Sequence, residues 1–262
     1  MPDNSRESGM PTVEILGLPI SSLTMSDVID AMHRSVINGT RCTIFPVNVD
    51  VVMKAQEDDE FRSVLCGATL LPPDGMPIVW ASKFLRNPVA EKVTGSVLFE
   101  AFCESIVSRP YRIFLLGGME GIANRAGKAL KSRFPNLNIA GCYSPPWNFE
   151  HDEDENSRIV RMINELMSDI LVVGLGAPKQ EKWIAKHMGQ INAKLFLAVG
   201  GSFDYYSGAV RRPPRFLSQI GLEWCWRISQ DPRRLWKRYL VDDPPFFYHV
   251  LRQRFGRYER PR

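Results

Sequence analysis

Residues 169–188 read DILVVGLGAPKQEKWIAKHM, and this stretch decides the fold class. The apolar, β-branched run over 169–173 predicts a buried parallel strand, because such strands are covered on both faces. Gly174 and Gly176 allow a tight turn after it, and the helical spacing of residues 178–188 predicts a helix. The stretch is therefore one strand–turn–helix unit of an α/β fold.

The same unit recurs along most of the chain. Short apolar runs that predict strands alternate with segments of helical period. This alternation predicts a mostly parallel, Rossmann-like sheet with helices on both faces. The predicted strands are 43–47, 68–71, 112–116, 169–173 and 195–199, and the predicted helices are 24–38, 76–85, 96–107, 121–133, 155–167 and 178–188.

The composition is that of a globular protein. The 262 residues are 44% hydrophobic and 24% charged, so the chain can bury a sizeable core. The five cysteines are widely separated and lack C-x-x-C spacing, which favours a reduced cytosolic protein over a disulfide or zinc framework. The polar start and the absence of a long apolar run predict neither a signal peptide nor a membrane-spanning helix.

Positive charge is concentrated near the C-terminal end. Residues 211–262 carry thirteen Lys/Arg and five Asp/Glu, a balance of +8, while the rest of the chain carries −4. Arginines interleaved with Trp224, Trp226 and Trp236 are typical of a helix lying in an anionic membrane interface. A helix packed on the sheet with a solvated basic face is the alternative. We expect an α/β core over 1–210, a basic C-terminal helical appendage over 211–262, and no nucleic-acid partner, because no recognised module is present.

Polar and glycine-rich segments follow the predicted strands. In open parallel sheets, ligands bind outside the carboxyl ends of the strands. Glycines there let the backbone approach a ligand, and helix N-termini offer N–H groups to an anion, which predicts a phosphate-bearing ligand. Tight turns without a ligand are the alternative reading for each glycine. The residues at these ends are Asn48, Asp74, Gly117, Gly118, Gly174, Gly176, Lys179, Gln180, Gly200 and Gly201.

A nicotinamide dinucleotide site is disfavoured at the Gly174 turn. The G-x-G-x-x-G pattern places its third glycine where this chain has Lys179, and the preceding Pro178 has no N–H to donate. The D-x-D pair Asp152 and Asp154 suggests a divalent metal site. However, these acids open a predicted helix, where they favour the helix dipole, and we expect no metal.

Asp74 is the candidate general base. It lies in the sequence PPDG at a predicted strand end, where the prolines stiffen the backbone and fix its position. Its apolar flanks favour partial burial, which would raise its pKa toward a useful range. A turn-forming aspartate is the alternative, since P-D-G is also a common turn sequence.

Seven motifs stand in a fixed order between residues 48 and 240. They are NVD at 48–50, DGM at 74–76, VTGS at 93–96, FLLGG at 114–118, VGLGAPKQE at 173–181, VGGSFD at 199–204 and RRPPRFLSQIGLEWCWR at 211–227. In this order and spacing the chain resembles the WecG/TagA/CpsF glycosyltransferases (glycosyltransferase family 26). The two ends of the chain match least well.

The resemblance implies a bacterial surface or exopolysaccharide enzyme. Such an enzyme is a hexosyltransferase that moves a sugar, with inversion, from a UDP-sugar donor to a polyprenyl-diphosphate-linked sugar acceptor. We expect it to be cytoplasmic and peripheral on the inner face of the plasma membrane, bound to anionic lipid, with no metal and no cofactor. Whether it forms a homo-oligomer is left open.

The resemblance also assigns roles to residues. The catalytic base falls on Asp74, and the substrate-contacting Asn and Gln fall on Asn48 and Gln180. The basic appendage residues fall on Arg227, Arg234 and Lys237. We expect the glycine-rich strand ends at Gly117, Gly118 and Gly176 to bind the diphosphate, with Lys92 and Lys179 as further cations.

Two departures from the family pattern leave the donor open. Pro46 stands where a threonine is common, and Lys92 replaces an arginine, keeping the charge but losing the bidentate fork. The segment DPRRLWKRYL at 231–240 looks closest to a xanthan-type branch, which favours UDP-glucose and a cellobiosyl lipid product. UDP-ManNAc or UDP-ManNAcA is the alternative donor. A non-catalytic, membrane-associated nucleotide-sugar-binding protein is the alternative of another class.

Overall fold

The computed structural model describes residues 10–214, 216, 217 and 221–258, without the side chain of Arg234. Its centre is a parallel sheet of five strands in the order β3-β7-β6-β4-β5. A small antiparallel hairpin, β1–β2, precedes it. The strands are β1 (Thr12–Ile15), β2 (Leu18–Ser21), β3 (Cys42–Ile44), β4 (Ile113–Gly117), β5 (Ile139–Tyr143), β6 (Ile170–Gly174) and β7 (Leu195–Ala198).

Helices connect the strands and cover the sheet, and a π-helical turn at Arg238–Asp242 lies between the last two. A capping box of Thr24 and Asp27 opens the first helix, as its sequence predicts. The helices are α1 (Met25–Asn38), α2 (Val49–Glu57), α3 (Asp59–Cys66), α4 (Met76–Phe84), α5 (Gly95–Ser105), α6 (Ile122–Arg133), α7 (Glu153–Glu165), α8 (Lys179–His187), α9 (Ser202–Tyr206), α10 (Glu223–Gln230), α11 (Pro232–Lys237) and α12 (Pro245–Arg254).

The sheet has a buried apolar layer on each face. Along β6, Ile170 and Val172 pack with α1, α5 and α6, whereas Leu171 and Val173 pack with α2, α3, α4, α7 and α8. Successive side chains of a strand point to opposite faces, so an all-apolar strand is buried on both sides. This confirms the predicted α/β architecture.

One predicted strand is only partly formed. Residues 68–71 were expected to be a full strand, but the structure has isolated parallel bridges there, Ile44 to Leu70 and Val47 to Pro73. Pro72 and Pro73 have no N–H to donate, so a continuous ladder cannot extend through them. The segment still runs beside β3 and brings Asp74 to the end of the sheet, with its N–H donating to the Val47 carbonyl at 2.8 Å.

The last helix packs into the core. Phe246 and Val250 of α12 are buried in the apolar layer that also holds α2 and α4. The Gln253 amide donates to the Glu14 carbonyl at 3.0 Å and accepts from the Leu16 N–H at 2.9 Å. The division of the chain at residue 210 stays a prediction. Within the described part of the chain, no helix has both the length and the apolar character needed to cross a bilayer.

Candidate active site

A cavity of about 460 Å³, here called the central cavity, opens at the carboxyl ends of β3, β6 and β7. It lies between the loops that follow these strands and the segment from α10 to the π-helical turn. This is the position expected for a ligand site in an open parallel sheet. Among the site residues predicted from the sequence, those that line it are Asn48, Asp74, Gly176, Gln180, Gly200, Gly201 and Arg227.

Asp74 has an environment suited to proton transfer. Burial of its carboxyl, together with the nearby Glu223, raises its pKa to about 6 against the opposing effects of Arg227, the Gly95 N–H and Lys92. The side chain keeps some solvent access from the cavity. A carboxylate with this pKa is ionised at neutral pH and still basic enough to accept a proton.

Among the nearby cations, Arg227 lowers the pKa of this carboxyl most. Its Nη2 lies 2.8 Å from Glu223 Oε1, and its guanidinium carbon lies 5.7 Å from the Tyr205 ring centroid. Burial lowers the Arg227 pKa, but Tyr205, Tyr239, Glu223 and Asp74 together hold it above its ordinary value. The cavity therefore has a permanent positive charge near Asp74.

Asn48 has a structural role in addition to lining the cavity. It is the N-cap of α2, where its Oδ1 accepts from the Val51 N–H at 3.1 Å. The same oxygen lies 3.5 Å from Nη2 of Arg238. Asn48 therefore links the start of α2 to the C-terminal segment that covers the cavity.

Gln180 holds two strand ends together. Its Oε1 accepts from the N–H of Gly200 at 3.0 Å and of Gly176 at 3.3 Å, and its Nε2 donates to Glu181 Oε1 at 2.8 Å. The N–H groups of these two glycines are therefore used within the protein. Burial raises the pKa of Glu181 to about 7, although the hydrogen bond from Gln180 opposes this.

The glycines at the strand ends fall into two groups. Gly176 has φ +80°, and a Cβ there would meet no atom within 4 Å, so it faces open cavity. Gly117 and Gly118 do not line the cavity. A Cβ on Gly117 would lie 2.4 Å from the Gly174 carbonyl oxygen, and one on Gly118 would lie 2.6 Å from Ile122 Cγ2. These two glycines are explained by close packing at the β4 end.

Several predicted cations lie outside the central cavity. Lys179 projects from α8 to Glu150, 2.6 Å from its Oε1, and lies over the Trp147 ring. Lys92 lines a neighbouring cleft. Lys237 is exposed on α11 and lines neither space. The side chain of Arg234 lies outside the described part of the chain.

Arg238 lines the cavity and was not singled out in the sequence. Its Nε lies 3.6 Å from Asp50 Oδ1 and 3.8 Å from Asp243 Oδ2. Burial, together with the nearby Asp50, raises the pKa of Asp243 to about 6 against the opposing effect of Arg238. Its sequence gave only a weak signal, a place among the basic residues of the appendage, because Arg227 and Arg238 belong to different elements separated by a break at Asp231.

The D-x-D acids lie at a helix start, as their sequence context predicts. Asp152 is the exposed N-cap of α7 and accepts from the N–H groups of Asp154 and Glu155 at 3.1 Å. Among the residues the structure describes, no cluster of three His, Cys, Asp or Glu side chains is arranged to hold a metal ion. Metal independence stays a prediction.

The central cavity thus combines a base, fixed cations and glycine loops. Asp74 can take a proton from a hydroxyl, and Arg227 can stabilise negative charge that develops on a leaving group. Gly176 leaves room for a bulky anion beside the sheet. These parts suit displacement of a phosphorylated leaving group by a hydroxyl.

Comparisons with known proteins place this site in context. The model of the Glycosyl transferase WecG/TagA/CpsF family matches residues 13–260. The chain is 28% identical to N-acetylglucosaminyldiphosphoundecaprenol N-acetyl-beta-D-mannosaminyltransferase of Staphylococcus aureus strain MRSA252, over 94% of this chain and 94% of the relative. It is 27% identical to the protein of the same name from strain MW2, with the same coverage.

Proposed function

Because the chain belongs to the WecG/TagA/CpsF family of glycosyl transferases, we propose that it moves a sugar from a UDP-sugar to a polyprenyl-diphosphate-linked sugar, with inversion. The family resemblance carried by the seven motifs is thereby confirmed. The observation that most supports the proposed reaction is Asp74, a cavity-lining carboxyl with its pKa raised to about 6 under the influence of a partly buried arginine, Arg227.

The proposed chemistry is one in-line displacement. The acceptor hydroxyl gives its proton to the Asp74 carboxylate, and its oxygen forms a bond to the anomeric carbon of the donor. The bond from that carbon to the β-phosphate oxygen breaks, and its electron pair leaves with UDP. Arg227 stabilises the departing diphosphate, and Arg238 adds charge on the same side of the cavity.

The names of the relatives favour UDP-ManNAc as the donor over UDP-glucose, which the sequence analysis preferred. Both named relatives are N-acetylmannosaminyltransferases that act on an N-acetylglucosaminyl diphospholipid. UDP-glucose gains no support from them, whereas UDP-ManNAc, the alternative, is compatible with them. We therefore propose N-acetylmannosamine as the transferred sugar, in biosynthesis of the bacterial cell envelope.

The proposed place of action is the inner face of the plasma membrane. The acceptor is a lipid, so the enzyme must work at a membrane surface. Exposed apolar side chains on α12 and beside it support this, among them Leu240, Phe247 and Phe255. The appendage would then both contact lipid and, through Arg227 and Arg238, complete the site.

The test is product formation from defined substrates. The protein is incubated with UDP-ManNAc, UDP-ManNAcA or UDP-glucose and a water-soluble N-acetylglucosaminyl diphosphate bearing a short prenyl chain. We expect a disaccharide lipid with UDP-ManNAc, detected by mass spectrometry. UDP binding without product from any donor would instead support the non-catalytic alternative. Activity should persist in excess chelator, and loss that magnesium restores would contradict metal independence.

A further inference from the structure

A second and larger space adjoins the central cavity. This α5 cleft, of about 900 Å³, lies between α5 and the segment Arg212–Pro214. Val97, Ala101 and Glu104 of α5 form one side. Nothing in the proposed chemistry so far uses it.

The α5 cleft and the central cavity meet near the base. Thr94, Ser96 and Tyr205 line both spaces. Asp74 lines the central cavity, and its carboxyl accepts from the N–H of Gly95, between two of these shared residues. A molecule in either space therefore reaches the surroundings of the same carboxyl.

The charges that act on Asp74 also come from both sides. Arg227 lines the central cavity, while Lys92 and Glu223 line the α5 cleft. A base at the junction of two spaces is the arrangement that a two-substrate displacement requires, because the hydroxyl and the anomeric carbon must approach it together.

The linings of the two spaces suit different substrates. The central cavity contains open glycine loops, Arg227 and Arg238, which suit a nucleoside diphosphate. Arginines are paired with carboxylates in both spaces: Glu100 binds Arg133 at 2.5 Å and Arg212 at 2.6 Å in the α5 cleft, and Glu223 binds Arg227 at 2.8 Å beside the central cavity. Among its described lining residues the α5 cleft has no open glycine loop, and its carboxylates Glu91 and Glu104 can accept hydrogen bonds from sugar hydroxyls.

The α5 cleft also has an apolar part. Met25, Val97, Ala101, Pro213 and Pro214 line it, and Val97 is half exposed. Carboxylates beside aliphatic and proline surface suit a molecule that carries both sugar hydroxyls and hydrocarbon. A lipid-linked sugar is such a molecule, and a UDP-sugar is not.

We propose that the α5 cleft binds the sugar-diphospholipid acceptor, with its sugar at the Thr94–Ser96 junction and the start of its lipid toward Val97 and Pro213. This inference rests on the proposed function. It predicts that filling the α5 cleft weakens binding of the acceptor and leaves binding of UDP unchanged.

The test fills the cleft with a large side chain. Val97→Trp and, separately, Glu104→Trp alter residues that line only the α5 cleft. Ile37→Trp on α1 is the matched control, since Ile37 is also an exposed helical residue and lines neither space. Calorimetry measures binding of UDP and of the short-chain N-acetylglucosaminyl diphosphate acceptor, and initial rates give the two KM values.

The expected result is selective. Both cleft variants should weaken acceptor binding by about tenfold or more and raise the acceptor KM, with UDP affinity and donor KM within about twofold of wild type. Unchanged acceptor binding, or an equal loss of UDP affinity, would overturn the assignment. If the wild-type protein formed no product, the proposed function would fail on the rate measurement, while the calorimetry would still show whether the α5 cleft holds the acceptor.

Discussion

The surroundings of Asp74 make its carboxylate costly to folding and also suit it to accept a proton. Its carboxyl is held among protein atoms, where an ion is disfavoured, and Glu223 adds a second negative charge nearby. Arg227 and the Gly95 N–H limit the rise, so the pKa settles at about 6 rather than higher. This balance leaves the group ionised at neutral pH yet able to accept a proton.

Replacing Asp74 with asparagine should remove the base and preserve the cavity. We expect Asp74→Asn to lower kcat by roughly 10²–10⁴-fold, the usual contribution of a positioned base, with UDP affinity retained. In the wild type, kcat/KM should fall as the pH is lowered through about 6, because the protonated carboxyl cannot accept the hydroxyl proton. Near-normal turnover in the variant, or a flat profile between pH 5 and 7, would exclude Asp74 as the base.

The raised pKa of Asp74 also predicts that the stability of the folded protein depends on pH. The folded-state pKa, about 6, exceeds the ordinary value of 3.8, so the folded protein binds this proton more tightly than the unfolded chain does. The free energy of unfolding therefore decreases as the pH rises from about 4 to about 6. Asp74→Asn should raise Tm at pH 7.5, by roughly 2–4 °C for each kcal/mol regained, and change it little at pH 4.

Thermal unfolding at the two pH values tests this, with Asp30→Asn at an exposed site of α1 as the control. A variant destabilised at pH 7.5 would show that the carboxylate supports the fold, which is the opposite sign.

The residues that sequence analysis located correctly are those whose backbone position fixes their direction. Asn48 and Asp74 directly follow chain segments that run along the sheet, so they had to lie at its carboxyl end. Lys179 and Gln180 are neighbours at the start of α8, yet one turns outward to Glu150 and the other turns inward. Consecutive residues on a helix point about 100° apart. The rotation of α8 about its axis depends on packing, which the pattern of the sequence alone did not provide.

At the scale of elements, the site is assembled where the ends of β6 and β7 are joined. Gln180 connects them through the N–H groups of Gly176 and Gly200, and Lys54 Nζ of α2 donates to the Ala177 carbonyl at 3.0 Å. These hydrogen bonds set the width of the cavity between the two loops. The family resemblance gave Gln180 a substrate contact, whereas the structure also gives it this connecting role.

Removal of the Gln180 amide separates the two roles. Gln180→Met keeps the volume but leaves the glycine N–H groups and Glu181 without their partner. We expect the free energy of unfolding to fall by roughly 1–3 kcal/mol, and UDP affinity to fall with it, because buried polar groups lose hydrogen bonds and the loops lose their spacing. Gln190→Met at an exposed site is the control. A loss of activity with unchanged stability would instead indicate a direct substrate contact.

The elements that sequence analysis missed are short or lie at an edge. Helices α2 and α3 have nine and eight residues, and α2 contains Val49, Val51 and Val52, whose β-branched side chains reduce helix propensity. Burial of these valines determines the helix, although Asn48 and Asp58 are recognisable N-caps. Strand β5 is at the sheet edge and contains Gly141, so its apolar pattern is weak.

For the molecule as a whole, the C-terminal segment has two kinds of surface. Its inner side contributes Phe246 and Val250 to the core, and Arg227 and Arg238 to the central cavity. Its outer side is apolar and solvent-exposed, with exposed fractions of 53% at Phe247 and 68% at Phe255. Phe247, Leu251 and Phe255 recur every four residues, so they share one side of α12. The same stretch can thus close the site from one side and meet lipid from the other.

The charge of this segment predicts salt-dependent attachment to membranes. With a balance of +8 over residues 211–262, the protein should bind vesicles of anionic phospholipid and dissociate as salt rises, since each Lys or Arg near such a surface contributes about 1 kcal/mol. Reversing two of these charges in Arg252→Glu/Arg254→Glu should weaken vesicle binding by at least about tenfold. Neither residue lines the central cavity, so turnover on the water-soluble acceptor should stay close to wild type.

Lys128→Glu/Arg161→Glu makes the same change of charge on exposed sites of α6 and α7 and should leave vesicle binding much less affected. Sedimentation with vesicles at low and high salt measures the first quantity, and initial rates measure the second. Equal losses in the two double variants would mean that only net charge matters, whereas loss of turnover in Arg252→Glu/Arg254→Glu alone would mean that α12 supports the site and that attachment and catalysis cannot be separated at this helix.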